Sequence, residues 1–156
     1  MHVRLVAVGA RQPAWVNDAF DDYAGRLPRQ WRFTLKALPA ATRGRNRGAD
    51  AAVAAEGRAI LNECRRSDHV VALDERGTQY TSVALADKLG AWQAGGRDLC
   101  FVIGGPDGLS ADCVERADER WSLSKLTLPH GLVRVMLAEQ LYRAWSLGTG
   151  HPYHRA

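Results

Sequence analysis

The sequence predicts an α/β protein: a mostly parallel five-stranded sheet with helices on both faces, in one domain spanning residues 1–156. Three observations predict it. Five short apolar runs, at residues 2–9, 31–38, 69–74, 99–103 and 121–128, alternate with segments whose apolar residues recur every three or four positions, the pattern of strands joined by crossover helices. The run at 99–103, Leu-Cys-Phe-Val-Ile, is apolar throughout, as a strand covered on both faces is. A length of 156 residues is enough to bury a substantial core without staples.

Each element carries its own signal. After the first strand, Pro13 suits a first helical position, and Trp15, Val16, Ala19, Phe20, Tyr23 and Leu27 follow at helical spacing. Residues 31–38 alternate as a second strand. Asp50 suits a helix cap, with Val53, Ile60, Leu61 and Cys64 on one face and Gly57 as a local weakness. Residues 69–74 form the third strand and 74–79 a turn. Leu85, Ala86, Leu89 and Trp92 then mark a helix closed by Gly95-Gly96. Ser110 caps a short helix running to about Ala117, residues 121–128 make the fifth strand, and 132–147 make the last helix.

Composition narrows the class. Cys64, Cys100 and Cys113 form an odd set with no Cys-x-x-Cys spacing, which argues against disulfides and zinc and for a reducing cytoplasm. The apolar run at 5–10 is too short for a signal peptide, and no stretch approaches a membrane span. Net charge is +4, and Arg43, Arg45 and Arg47 in the window 39–49 supply three of those charges with no acidic residue among them. Interleaved with Gly44, Asn46 and Gly48, they read either as a flexible segment for a phosphate backbone or as a solvated loop.

Two segments bear on function. The fourth strand stops at Gly104-Gly105-Pro106-Asp107-Gly108, which bares backbone groups where a ligand can approach, at the kind of strand end where open α/β sheets bind small molecules. This turn lacks the Lys-Ser/Thr of a phosphate loop and does not fit Gly-x-Gly-x-x-Gly. A nucleoside read by backbone groups suits it better. The last helix is apolar nearly all the way round: Val133, Leu137, Leu141, Tyr142 and Trp145 lie on one face and Leu132, Val135 and Met136 on the other. Such a helix needs cover on two sides, which predicts a homodimer. Glu139 and Arg143, four apart, form either an ordinary ion pair or an arrangement that aims Arg143 at a phosphate. The histidines show no metal spacing beyond His151 and His154 in the tail, so no metal is expected.

Several motifs in order, Val71-Ala72-Leu73-Asp74, Ile103-Gly104-Gly105-Pro106-Asp107-Gly108, Trp121-Ser122-Leu123-Ser124, Leu126-Thr127-Leu128-Pro129-His130, Glu139-Gln140-Leu141-Tyr142-Arg143-Ala144 and His151-Pro152-Tyr153-His154-Arg155, resemble the ribosomal large-subunit pseudouridine methyltransferase H family of the SPOUT superfamily. The resemblance runs from end to end. It implies a C-terminal trefoil knot, which periodicity never proposes because knots are rare. It also implies S-adenosylmethionine as methyl donor without a metal, a homodimer, and methylation of nitrogen 3 of a pseudouridine in a hairpin loop of 23S ribosomal RNA within the ribosome. By similarity the donor pocket falls on Leu73, Gly104, Leu123, Ser124, Lys125, Leu126, Thr127 and Leu128. Two departures stand out: Gly131, where relatives carry a bulkier residue, and arginines in the basic loop in place of lysines.

The implied chemistry assigns roles in the tail. His154 is the candidate base or proton relay, since an imidazole titrates near neutrality. Tyr153 stacks on the extruded base while Arg143 and Arg155 hold flanking phosphates, and the tail is expected to lie across the mouth of the donor pocket. Arg43, Arg45 and Arg47 are the further RNA contacts. The competing readings are a related knotted enzyme acting on a ribose or a transfer-RNA base, and a noncatalytic ribosome-binding factor.

Overall fold

The computed structural model describes residues 1–44 and 48–154, His154 by its backbone alone. Ten principal elements alternate: β1 (Val3–Val8), α1 (Ala14–Arg26), β2 (Thr34–Leu38), α2 (Ala49–Glu63), β3 (His69–Thr78), α3 (Ser82–Gly95), β4 (Leu99–Ile103), α4 (Ala111–Arg116), β5 (Glu119–Trp121) and α5 (His130–Thr149). The strands lie in the order β2-β1-β4-β3-β5 and every pairing is parallel.

Alternation along each strand feeds two cores. Val3, Leu5 and Ala7 of β1, with Phe101 of β4 and Val71 of β3, face α1, α3 and α5. Val6 and Val8, with Val102 and Ala72, face α2 and α4. This is the period of two that a pleated strand imposes, and the continuous apolar strands are thereby covered on both sides. Among the described residues no helix is long and apolar enough to cross a membrane.

The structure corrects several boundaries, each for a local reason. Pro13 is the cap of α1 rather than its first residue, and Trp15 is 60% exposed instead of joining the core stripe. Residues 29–31 form a 3-10 turn that ends with Arg32 in the left-handed region, so β2 begins only at Thr34. Gly48, not Asp50, caps α2. The stripe that α2 buries is Ala52, Glu56, Gly57 and Ile60, so Val53, Leu61 and Cys64 are only half-buried. Gly57 is no weakness in this setting: a Cβ there would lie 2.2 Å from Ser110 Oγ, so the glycine lets α4 close on α2. The expected turn at 74–79 is instead a continuation of β3 to Thr78, with a register shift against β5 between Leu73 and Thr78.

The largest correction concerns residues 121–128. The fifth strand ends at Trp121, where that run was expected to begin, and the chain then leaves the sheet. Short side-chain bonds take over from the ladder: Ser122 Oγ donates to the Ser124 carbonyl at 2.8 Å and Leu126 N–H to Ser124 Oγ at 3.0 Å. Serines that bond their own neighbours in this way compete with strand pairing.

At the strand starts, Glu119 ties three elements together. Its Oε1 accepts from Trp92 Nε1 at 3.0 Å and lies 2.8 Å from His69 Nε2, while Oε2 pairs with Lys88 Nζ at 2.7 Å. Burial alone raises the pKa of this carboxyl, but Lys88, Trp92 and His69 outweigh it and hold the group below the usual range. A depressed carboxyl contributes stability above its unfolded pKa of about 4.3 and loses it as pH falls through the folded value. Glu119→Gln should therefore cost about 1–3 kcal/mol at pH 7. In denaturant titrations the gap from the parent should shrink below about pH 4.3; a gap that does not change with pH would show that the carboxylate's charge is irrelevant.

Candidate functional site

The C-terminal ends of β3 and β4 and the segment beyond β5 enclose a cleft of about 360 Å³. Its floor is the turn after β4. Gly108 N–H donates to the Gly105 carbonyl at 3.0 Å, closing a four-residue turn with Pro106 and Asp107 at its centre. Arg32 is the only non-glycine residue described with a positive φ, so Asp107 keeps a negative φ and the turn is type I, which favours Pro second and Gly last. Gly108 itself sits at φ +82°.

Gly104 is required by proximity rather than by its dihedrals. A Cβ there would lie 2.5 Å from the Gly108 carbonyl carbon, 2.6 Å from its oxygen and 2.8 Å from Leu109 N. The turn therefore folds directly over the end of β4, and backbone forms the wall where a side chain would fill the cleft.

Of the eight positions expected to hold a nucleoside donor, Leu73, Gly104, Leu123, Ser124, Leu126, Thr127 and Leu128 line this cleft; Lys125 does not, and is exposed. Leu126 is 73% exposed at the rim, while Thr127 Oγ1 donates to Glu75 Oε2 at 2.8 Å and moors the segment to the end of β3. Asp74 lines the cleft as well. Its Oδ1 accepts the Arg76 N–H at 3.0 Å, while its buried Oδ2 has no hydrogen-bond partner and only the Arg120 guanidinium at 3.6 Å as a counter-charge, leaving acceptor capacity of the kind that a ribose hydroxyl satisfies. The residues present thus fit a nucleoside: bare backbone, an apolar wall and a buried carboxylate oxygen that accepts no hydrogen bond within the chain.

The tail lies elsewhere. Residues 152–154 form a 3-10 turn folded back on α5, with the Tyr153 ring 4.5 Å from that of Tyr142 and its hydroxyl donating to Glu139 Oε1 at 3.0 Å. Arg143 donates to the same oxygen through Nη2 at 2.6 Å and Nε at 3.0 Å, and its guanidinium lies over the Tyr153 ring at 5.3 Å. Burial first, and then the bonds to Tyr23 and Glu139, push the Tyr153 hydroxyl's pKa up, so it stays a neutral donor at physiological pH.

Tyr153 and Arg143 are thus brought together, but not to the cleft. The cleft touches α5 at His130 and Val133, and Tyr142, at the far edge of that broad apolar face, is about 13 Å further along and half a turn round from Val133. Within one chain, therefore, the tail does not lie across the mouth of the donor pocket, because α5 stands between them. Arg45, Arg47 and Arg155 lie outside the described residues, as does the His154 side chain. Arg43 is described, and its guanidinium is committed to Glu56 and Asp107.

Reading the sequence missed a polar layer behind the cleft. Arg134 is 2% exposed, with Nη2 donating to the Gly9 carbonyl at 2.9 Å and Nε unpaired. The ring of His130 packs beside Gly9, and burial first, then Arg134, lowers its pKa. The signal was present: Arg134 falls on the stripe of Leu137 and Leu141, where a charge has no place unless it is held.

A model described as "Predicted SPOUT methyltransferase" matches residues 1–154. The chain is 50% identical to the ribosomal RNA large subunit methyltransferase H of Thioalkalivibrio sulfidiphilus over 99% of both chains. It is 52% identical to the protein of the same name from Methylibium petroleiphilum, again over 99% of both. Among solved structures it resembles a probable methylase family protein from Haemophilus influenzae Rd KW20, with a TM-score of 0.57 at 12% identity, covering 97% of this chain and 69% of that one. This last likeness concerns the fold alone.

Proposed function

Because the chain belongs to the SPOUT methyltransferase family, we propose that it methylates 23S ribosomal RNA in the cytoplasm, at nitrogen 3 of a pseudouridine in a large-subunit hairpin loop, on the assembled ribosome. The observation that carries this reading is the cleft at the ends of β3 and β4, a nucleoside-sized recess floored by glycine backbone. The names of the two half-identical relatives support ribosomal RNA as the substrate.

Leu73, Gly104 and the 123–128 segment would hold S-adenosylmethionine, with Asp74 Oδ2 as an acceptor for its hydroxyls. When bound, that donor supplies an electrophilic sulfonium methyl. The chain's own task is to place the attacking nitrogen in line and to keep water out. The imide nitrogen must lose a proton, and His154 is the base we assign, with Tyr153 against the extruded base and Arg143 and Arg155 on its phosphates. Arg45 and Arg47 would meet the RNA backbone.

Since α5 separates each tail from its own cleft, the site is completed by a second copy whose tail reaches across. The face of α5 bearing Leu132, Val135 and Met136 is only half covered within one chain and suits that contact. The trefoil threading belongs to the same reading. It is supported by the segment that leaves the sheet after Trp121 and by α5 returning beneath β4; a crystal structure with 122–129 passing outside the 104–110 loop would remove it.

Labelled S-adenosylmethionine incubated with protein and intact ribosomes, free large subunits or bare RNA tests the reaction, with mass spectrometry locating the methyl group. Methylation of one pseudouridine in intact ribosomes is expected. Label in a ribose or in transfer RNA, or no label at all despite ribosome binding, would overturn it, and near-normal turnover by His154→Ala would remove the base assignment.

A further inference from the structure

Arg43 opens the basic segment, yet its guanidinium turns inward. Nη1 and Nη2 donate to Glu56 Oε2 and Oε1 at 3.0 and 3.2 Å, Nη1 also donates to the Ala41 carbonyl at 3.0 Å, and Nε donates to Asp107 Oδ2 at 2.9 Å. Those four bonds use all but one of the five N–H groups a guanidinium carries. Glu56 is 3% exposed, and its third acceptor bond comes from the Ala41 N–H at 3.0 Å.

Both carboxylates bear on the floor of the cleft. Asp107 sits at the centre of the Gly105–Gly108 turn, and the Glu56 carboxylate lies against Gly105 so closely that a Cβ there would be 2.9 Å from Oε1 and 3.1 Å from Oε2. The guanidinium therefore bridges a buried carboxylate of α2 to the turn that floors the nucleoside recess. A planar fork can satisfy both at once; a lysine ammonium offers no such geometry. Without the arginine, a buried carboxylate would face the turn uncompensated.

We propose that Arg43 is a positioning residue of the donor cleft: it braces the Gly105–Gly108 turn against α2 and so holds the recess in its binding shape. This rests on the reading that the cleft takes the methyl donor. It separates Arg43 from Arg45 and Arg47, to which the RNA backbone is assigned.

The test measures S-adenosylhomocysteine affinity by calorimetry, ribosome affinity against salt, and steady-state kinetics. Arg43→Met should weaken the nucleoside about tenfold, raise the donor KM in step and leave kcat within about twofold of the parent, with ribosome affinity and its salt slope unchanged. Arg43→Lys should recover only part of the loss. Asp107→Asn keeps the Arg43–Glu56 pair and serves as the milder variant: about threefold weaker nucleoside binding with an unaltered melting temperature is expected. Added to Arg43→Met it should cost less than about twofold more, because the brace is already gone. Unchanged nucleoside affinity with a ribosome salt slope reduced by about 0.9 would make Arg43 an RNA contact and overturn the proposal. A parent protein that binds no S-adenosylhomocysteine would overturn the donor reading itself.

Discussion

Gly104→Ala is expected to weaken donor binding about a hundredfold while leaving the chain folded. The added methyl would sit 2.5 Å from the Gly108 carbonyl carbon and 2.8 Å from Leu109 N, and both neighbours are backbone, so no rotamer change relieves the clash. The turn itself must move. It is pinned by the Gly108 to Gly105 hydrogen bond and by Arg43 on Asp107, and any outward shift displaces the wall that a nucleoside would lie against. Overpacking of this kind costs about 1–3 kcal/mol of stability, seen as a lowered melting temperature. The effect on affinity should be larger, because the recess loses its shape as well as its room: about a hundredfold, or near 2.7 kcal/mol, in S-adenosylhomocysteine binding. An affinity within about threefold of the parent would mean that the nucleoside lies elsewhere.

Deleting residues 151–156 is expected to abolish methyl transfer and spare donor binding. The segment's described residues 151–153 are not among those that line the cleft, and its anchor is the Tyr142–Glu139–Arg143 patch on the far side of α5. If a second copy completes each site, the truncated protein retains a sound cleft and lacks only what it lends its partner. Mixing it with Gly104→Ala protein, which has a tail but no working cleft, should then restore activity: one site in each mixed dimer pairs a good cleft with a good tail, giving about a quarter of parental turnover after full exchange. Two inactive proteins that stay inactive when mixed, while sedimenting as mixed dimers, would place the tail and cleft of each site on one chain.

The site was legible to the extent that it is written in local chemistry. Gly104-Gly105-Pro106-Asp107-Gly108 names its own turn, because proline presets one dihedral and glycine permits another, whatever the rest of the chain does. The 123–128 segment, all of which except Lys125 lines the cleft, was expected in the wrong secondary structure. Its apolar residues Trp121, Leu123, Leu126 and Leu128 are dense enough for a strand, but Ser122 and Ser124 close local bonds that draw the backbone out of the ladder. The partners of Arg43 were hidden for a related reason. Beside glycines and two further arginines it looks like a solvated cation, and its two carboxylate partners lie 13 and 64 residues away.

By itself the sequence determined the layering, the order of strands and helices along the chain, the glycine turn, and the apolar last helix. Each follows from periodicity or from dihedral limits acting within a few residues. Only the tertiary structure decided which charges are buried, that Glu56 and Arg134 lie inside while Lys125 lies out, and that the tail is held away from its own cleft. Those outcomes depend on which atoms meet across long stretches of chain. A buried charge is tolerated only where a particular distant partner arrives to satisfy it.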